Sequence, residues 1–187
     1  MEQKFFQQKN KTLYLTTGGV IAALYVLLTL PFANFAFGPV QFRLAEAMAF
    51  LPILTPAAIP GLTIGCFLAN LLNPDNLGII DIVFGSAATL LAAILTRFIS
   101  VKLENQKSRD ILALTPPVLC NALIVGTYLT FLLANGSPAT MGMILMNVLS
   151  IALSETFVVY VLGLPVMVGL RRTKLIQTIC KQGAVNQ

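Results

Sequence analysis

The sequence predicts an all-α integral membrane protein, a six-helix transmembrane bundle with both termini cytoplasmic. Three observations carry that prediction. The chain is 57% hydrophobic and only 10% charged over its 187 residues, with a mean hydropathy of +0.84; a soluble domain carries about 25% charged residues. Its apolar residues run in stretches near the roughly 20 residues that span a bilayer. Its basic residues gather in three clusters between those stretches, as in cytoplasmic loops. The length suits one domain over residues 1–187, and five or six spans leave no room for a separate soluble catalytic domain.

The elements follow in order. Residues 1–12 are polar, with Lys4, Lys9 and Lys11, and lead into a first helix over 13–31. A charged start before an apolar run resembles a secretory leader. The run is too long for one and no small-x-small cleavage site follows it, so the helix is expected to be retained. Residues 31–41 form a broken apolar loop with Phe32, Phe35, Phe37, Gly38 and Pro39, expected to fold against protein, since irregular backbone at membrane depth needs that cover.

The stretch 44–72 is apolar but interrupted by Pro52, Pro56, Pro60 and Gly61. Charge parity decides how to count it. The basic N-terminus, the cluster Arg97, Lys102, Lys107 and Arg109, and the cluster Arg171, Arg172, Lys174 and Lys181 should all face the cytoplasm. An even number of spans must separate the first two clusters, so the stretch counts as two short helices, 44–55 and 60–73. Helices over 78–99, 111–134 and 139–170 complete the six, the last two joined by an outer loop at 135–138.

This topology assigns depths to the polar residues. Glu46 falls in the outer part of helix 2, Asn70 and Asn73 near the outer end of helix 3, and Asp75, Asn76 and Asp81 at the outer start of helix 4. Asn121 lies near the middle of helix 5 and Tyr128 in its outer half. Asn147 lies in the outer half of helix 6 and Glu155 near its middle. A carboxylate in hydrocarbon costs about 2.5–3.5 kcal/mol on insertion scales, so Glu46, Asp81 and Glu155 are binding-site candidates. Simpler roles stand beside this one. Asn70, Asn73, Asp75 and Asn76 suit turns and caps, Asp81 suits a helix N-terminus, Arg43 and Glu46 sit one turn apart as a pair, and Tyr128 and the loop phenylalanines suit packing. Glu155 has no basic neighbour in sequence and is hardest to explain structurally. The inner half is nearly all apolar. A channel or alternating carrier should carry polar groups along its length or at the midplane, whereas a one-sided pocket suggests capture of a small molecule from outside.

Several chemistries are excluded. With no histidine, His-based zinc sites and Ser-His-Asp catalysis are absent. Cys66, Cys120 and Cys180 form no CxxC pair and read as apolar filler. No GxxxxGK[ST] loop is present, so partners must supply any ATPase. No cofactor is expected. The net charge of +5 is placed for orientation in the lipid bilayer rather than for nucleic acid. On helix 1, Gly18 with Ala22 and Gly19 with Ala23 form small-xxx-small pairs that allow close helix approach in lipid. They suit internal packing or a docking surface for a partner helix.

The stretches Gln41-Phe42-Arg43-Leu44-Ala45-Glu46, Gly65-Cys66-Phe67-Leu68-Ala69-Asn70 and Asp81-Ile82-Val83-Phe84-Gly85-Ser86-Ala87-Ala88-Thr89-Leu90 resemble the QueT family of queuosine-precursor transporters. That family is similar to the substrate-binding (S) components of energy-coupling factor (ECF) transporters. The resemblance covers about residues 11–172. It implies a plasma-membrane transport subunit, not an enzyme, that docks on a transmembrane coupling subunit and two cytoplasmic ATPase subunits. The Ala-xxx-Ala face of S components matches here as Gly18/Ala22 or Gly19/Ala23, leaving two registers. The implied substrate is 7-aminomethyl-7-deazaguanine or a related 7-deazaguanine or queuine. Its guanine edge offers donors to Glu155 or Glu46, and its ammonium suits Asp81. Arg43, Asn70, Asn121 and Asn147 would add polar contacts, and Tyr128 and Phe35 aromatic cover. An S component for thiamine or riboflavin, or a membrane scaffold protein without transport, remains as an alternative.

Overall fold

The computed structural model describes residues 11–33, 42–73, 77–134 and 138–172. Among these the chain is helical throughout, with no strand. Four helices are long and apolar enough to cross a membrane: α1 (Lys11–Phe32), α4 (Ile79–Lys102), α5 (Gln106–Leu133) and α6 (Met141–Arg172). Two shorter apolar helices, α2 (Leu44–Leu54) and α3 (Ala58–Leu72), lie between α1 and α4. Phe35 lies outside the described residues.

Prolines shape the short helices. α2 is a 3₁₀ segment, Leu44–Met48, followed by a single α-turn, Leu51–Leu54. It ends at Thr55, which is extended at φ −146°, ψ 136°, because the ring of Pro56 disfavours helical backbone at the preceding residue. Pro60 falls in the first turn of α3, where a missing N–H is tolerated. Pro56 also has no N–H for the carbonyl of Pro52, and the N–H of Ala57 turns instead to Thr55 Oγ1 at 3.3 Å. Arg97 of α4 fills the gap, donating to the Pro52 and Ile53 carbonyls at 3.3 and 3.4 Å. Arg97 therefore caps the broken helix as well as adding to a basic end.

Glycines set the helix contacts. A Cβ on Gly61 would come within 2.8 Å of the Gly18 carbonyl oxygen, and one on Gly65 within 2.6 Å of Tyr25 Cβ. The Gly61-x-x-x-Gly65 face of α3 thus seats the Gly18, Ala22 and Tyr25 face of α1. Gly18 and Ala22 are buried in this contact, whereas Gly19 and Ala23 point outward and are exposed. Gly126 brings α5 against the α6 backbone at Val148, and Gly163 brings α6 against the Ala47 carbonyl of α2.

One end of the molecule gathers the basic residues. The start of α1 meets the α2–α3 turn there through Gly18 and Ala57, and Arg97 binds the end of α2. Arg171 at the end of α6 makes a two-pronged ion pair with Asp110 at the start of α5. Glu46 and Asp81 lie in the first turns of α2 and α4, toward the opposite end. Glu155 lies midway along α6.

Two π-helical segments interrupt the long helices, Asn121–Val125 in α5 and Phe157–Gly163 in α6. Such turns are rare and recur at functional sites. Asn121 opens the first, and Glu155 stands two residues before the second.

Candidate functional site

All three intramembrane acids are buried, Glu46 at 3%, Asp81 at 0% and Glu155 at 5% exposure. Each takes a short hydrogen bond from a side chain on α1 or α5. Tyr25 of α1 donates its hydroxyl to Glu46 Oε1 at 2.5 Å. Tyr128 of α5 donates to Asp81 Oδ1 at 2.6 Å. Asn121 of α5 donates Nδ2 to Glu155 Oε1 at 2.7 Å. Bonds to a charged acceptor are shorter and about twice as strong as neutral ones.

The three groups form one cluster. Glu46 and Glu155 lie within electrostatic reach of each other, and Asn121 lies within hydrogen-bonding reach of Glu46 as well. Arg43, also buried, lies within electrostatic reach of Glu46, Glu155 and Asp81. Its Nη1 donates to Cys66 Sγ at 3.9 Å. Asn70 donates Nδ2 to the same sulfur at 3.8 Å and to the Asp81 carbonyl at 3.3 Å, which ties α3 to the first turn of α4. One guanidinium thus lies within electrostatic reach of all three carboxyl groups.

The arrangement has open acceptors. Asp81 Oδ2, Asn121 Oδ1 and Glu155 Oε2 are buried with no hydrogen-bond partner among the described residues. As the amide is oriented, Nδ2 faces Glu155 and Oδ1 is left open. An unsatisfied buried acceptor is costly, and all three atoms call for donors. Chemically, such an arrangement can accept N–H groups or a cation.

Of the residues singled out in the sequence, the structure brings together Arg43, Glu46, Asn70, Asp81, Asn121, Tyr128 and Glu155. Asn147 is half-buried and donates to Thr130 Oγ1 at 2.9 Å, linking α6 to α5. Gly18 and Ala22 are engaged by α3, as described above. Three members of the cluster were not singled out: Tyr25, Cys66 and Gly85. A tyrosine inside an apolar helix is itself a signal, since a buried hydroxyl needs a partner. Gly85 lies one turn after Asp81, and a Cβ there would come within 2.8 Å of Asn70 Nδ2 and 3.4 Å of the Tyr128 hydroxyl. Its bare backbone admits both side chains to Asp81. Gly85→Ala is expected to destabilise by about 1–3 kcal/mol, the usual range for overpacking. An unfolding midpoint equal to that of the parent protein would show that Asn70 moves aside freely.

Comparison with known proteins identifies the family. The sequence pattern of the family described as QueT transporter matches residues 15–172. The "Queuosine precursor transporter QueT" of Lactococcus lactis subsp. cremoris (strain MG1363) is 34% identical over 86 residues, 45% of this chain and 49% of that protein. The match therefore spans about half the length of that curated relative. No solved structure matches. With a family match over most of its length and several apolar helices able to cross a bilayer, this multi-pass membrane protein belongs to the QueT transporter family.

Proposed function

We propose that the chain is the substrate-binding S component of an ECF-type importer for a queuosine precursor, 7-aminomethyl-7-deazaguanine or a related 7-deazaguanine. One observation carries this reading: the cluster presents three buried, unpartnered acceptors, Asp81 Oδ2, Asn121 Oδ1 and Glu155 Oε2. The base has complementary donors. Its N1–H and exocyclic amine suit Glu155 and Asn121, and its ammonium suits Asp81. Arg43 or the Asn70 amide would meet the base carbonyl oxygen, with Tyr128 and Phe35 covering the ring. Asn147 is retained as an outlying amide contact. The name of the Lactococcus relative supports the same substrate class.

In this proposal all six helices cross or enter the bilayer and both termini are cytoplasmic. The collection of Arg97, Lys102, Arg109 and Arg171 at one end supports that orientation, with the acids toward the outer face. The chain contributes no ATPase and docks on a transmembrane coupling subunit with two ATPase subunits. Burial of Gly18 and Ala22 against α3 favours Gly19 and Ala23, exposed on the other face of α1, as the docking pair. Gly19→Leu has open space around it, so it is expected to leave ligand affinity unchanged and to reduce uptake by cells carrying the complete transporter. Equal uptake by Gly19→Leu and parent would remove this face from docking.

Titration of the purified protein with 7-aminomethyl-7-deazaguanine, thiamine and riboflavin tests the substrate class. The deazaguanine is expected to bind and the two vitamins are not. Binding of a vitamin in place of the deazaguanine would overturn the proposal in favour of a different S component.

A further inference from the structure

The three carboxyl groups are not equivalent. Glu155 Oε2 and Asp81 Oδ2 are fully buried without a donor among the described residues, and no Glu46 oxygen is among such atoms. Tyr25 donates to Glu46 Oε1 at 2.5 Å, and Asn121 reaches the same carboxyl group. Tyr25 is 1% exposed, and its Cβ lies against the bare backbone of Gly65, where an added Cβ would come within 2.6 Å. Its carbonyl accepts from Thr29 Oγ1 at 2.8 Å. The phenol is therefore held on Glu46 by a tightly packed helix contact. A ligand that displaced Tyr25 from Oε1 would leave a buried hydroxyl without an acceptor, the costly side of a hydrogen-bond exchange.

A chain of contacts follows from Tyr25 to the open acceptors. Tyr25 fixes Glu46. Glu155 takes the Nδ2 group of Asn121 at 2.7 Å, and Asn121 lies near Glu46 as well. With Nδ2 on Glu155, Asn121 presents Oδ1 elsewhere. We propose that Tyr25 is a positioning residue that holds Glu46 in place, while Glu155 and Asp81 receive the ligand. α1 then contributes to substrate recognition without touching the substrate. This inference rests on the donor-rich ligand proposed above.

The test uses the full chain with its four tyrosines labelled with ¹³C at the ring carbon bearing the hydroxyl. Tyr25→Phe identifies the Tyr25 resonance by its loss while keeping the ring that packs on Gly65. In the ligand-free protein, Glu46→Gln is expected to shift that resonance. Addition of 7-aminomethyl-7-deazaguanine to the parent protein is expected to leave it in place. In titrations, Tyr25→Phe and Glu46→Gln should each weaken binding about threefold to tenfold, the range of one ordinary hydrogen bond. The double variant should bind no more weakly than Glu46→Gln alone. A Tyr25 resonance indifferent to Glu46→Gln would overturn the proposal. So would a ligand-induced shift as large as that caused by Glu46→Gln, or additive losses in the double variant. If the parent protein bound no deazaguanine, the ligand proposal would fall, and the ligand-free comparison would still decide whether Tyr25 holds Glu46.

Discussion

Glu155→Gln is expected to weaken binding of 7-aminomethyl-7-deazaguanine by a factor of ten or more. Glu155 sits midway along α6, 5% exposed, with Oε1 on Asn121 and Oε2 open. A hydrogen bond to a charged group contributes about 1.5–3 kcal/mol, and 1.4 kcal/mol is tenfold in affinity. The substitution also places an NH₂ group where the ligand's own donors must approach, so an acceptor is lost and donor is set against donor. The fold should tolerate the change, because Gln keeps an acceptor for Asn121 and removes a buried charge. Isothermal titration of the parent and variant proteins checks it. Unchanged affinity in a folded variant would remove Glu155 from the site.

Gly65→Leu is expected to abolish the folded, monodisperse protein. The first added carbon would come within 2.6 Å of Tyr25 Cβ and 3.1 Å of the Ala22 backbone. None of these atoms is the end of a flexible side chain, so α1 and α3 must separate. Overpacking in a close-packed contact typically costs about 1–3 kcal/mol and can exceed that. Here separation also pulls Tyr25 from Glu46 and exposes the Gly18–Ala22 face. Size-exclusion profiles and unfolding midpoints of Gly65→Leu beside Gly19→Leu provide the comparison, since nothing lies within 4 Å of a Cβ at Gly19. A Gly65→Leu protein as stable as the Gly19→Leu control would show that α1 does not pack on α3 as described.

The contrast between these glycines shows what sequence can and cannot reveal. The all-α membrane class was legible because apolar composition and low charge leave few other options. The acids were legible because charge in hydrocarbon is costly and therefore conspicuous. The two small-xxx-small registers on α1 were both legible as sticky faces, but a 3.6-residue period cannot say which faces a neighbour; only the position of Gly61 and Gly65 does. Tyr25 stayed hidden because its hydroxyl acquires meaning only when α1 packs beside Glu46, 21 residues away. Arg97 was counted for its charge alone, since the carbonyls stranded by Pro56 are visible only in the backbone. The π-segments beginning at Asn121 and Phe157 carry no distinctive residue pattern.

The most direct measurement is a structure of the protein with 7-aminomethyl-7-deazaguanine bound. The expected result is ligand nitrogens within about 3 Å of Glu155 Oε2, Asn121 Oδ1 and Asp81 Oδ2, with the Tyr25–Glu46 bond intact. A bound ligand elsewhere, with those three oxygens still unpartnered, would contradict the assignment of this cluster as the substrate site.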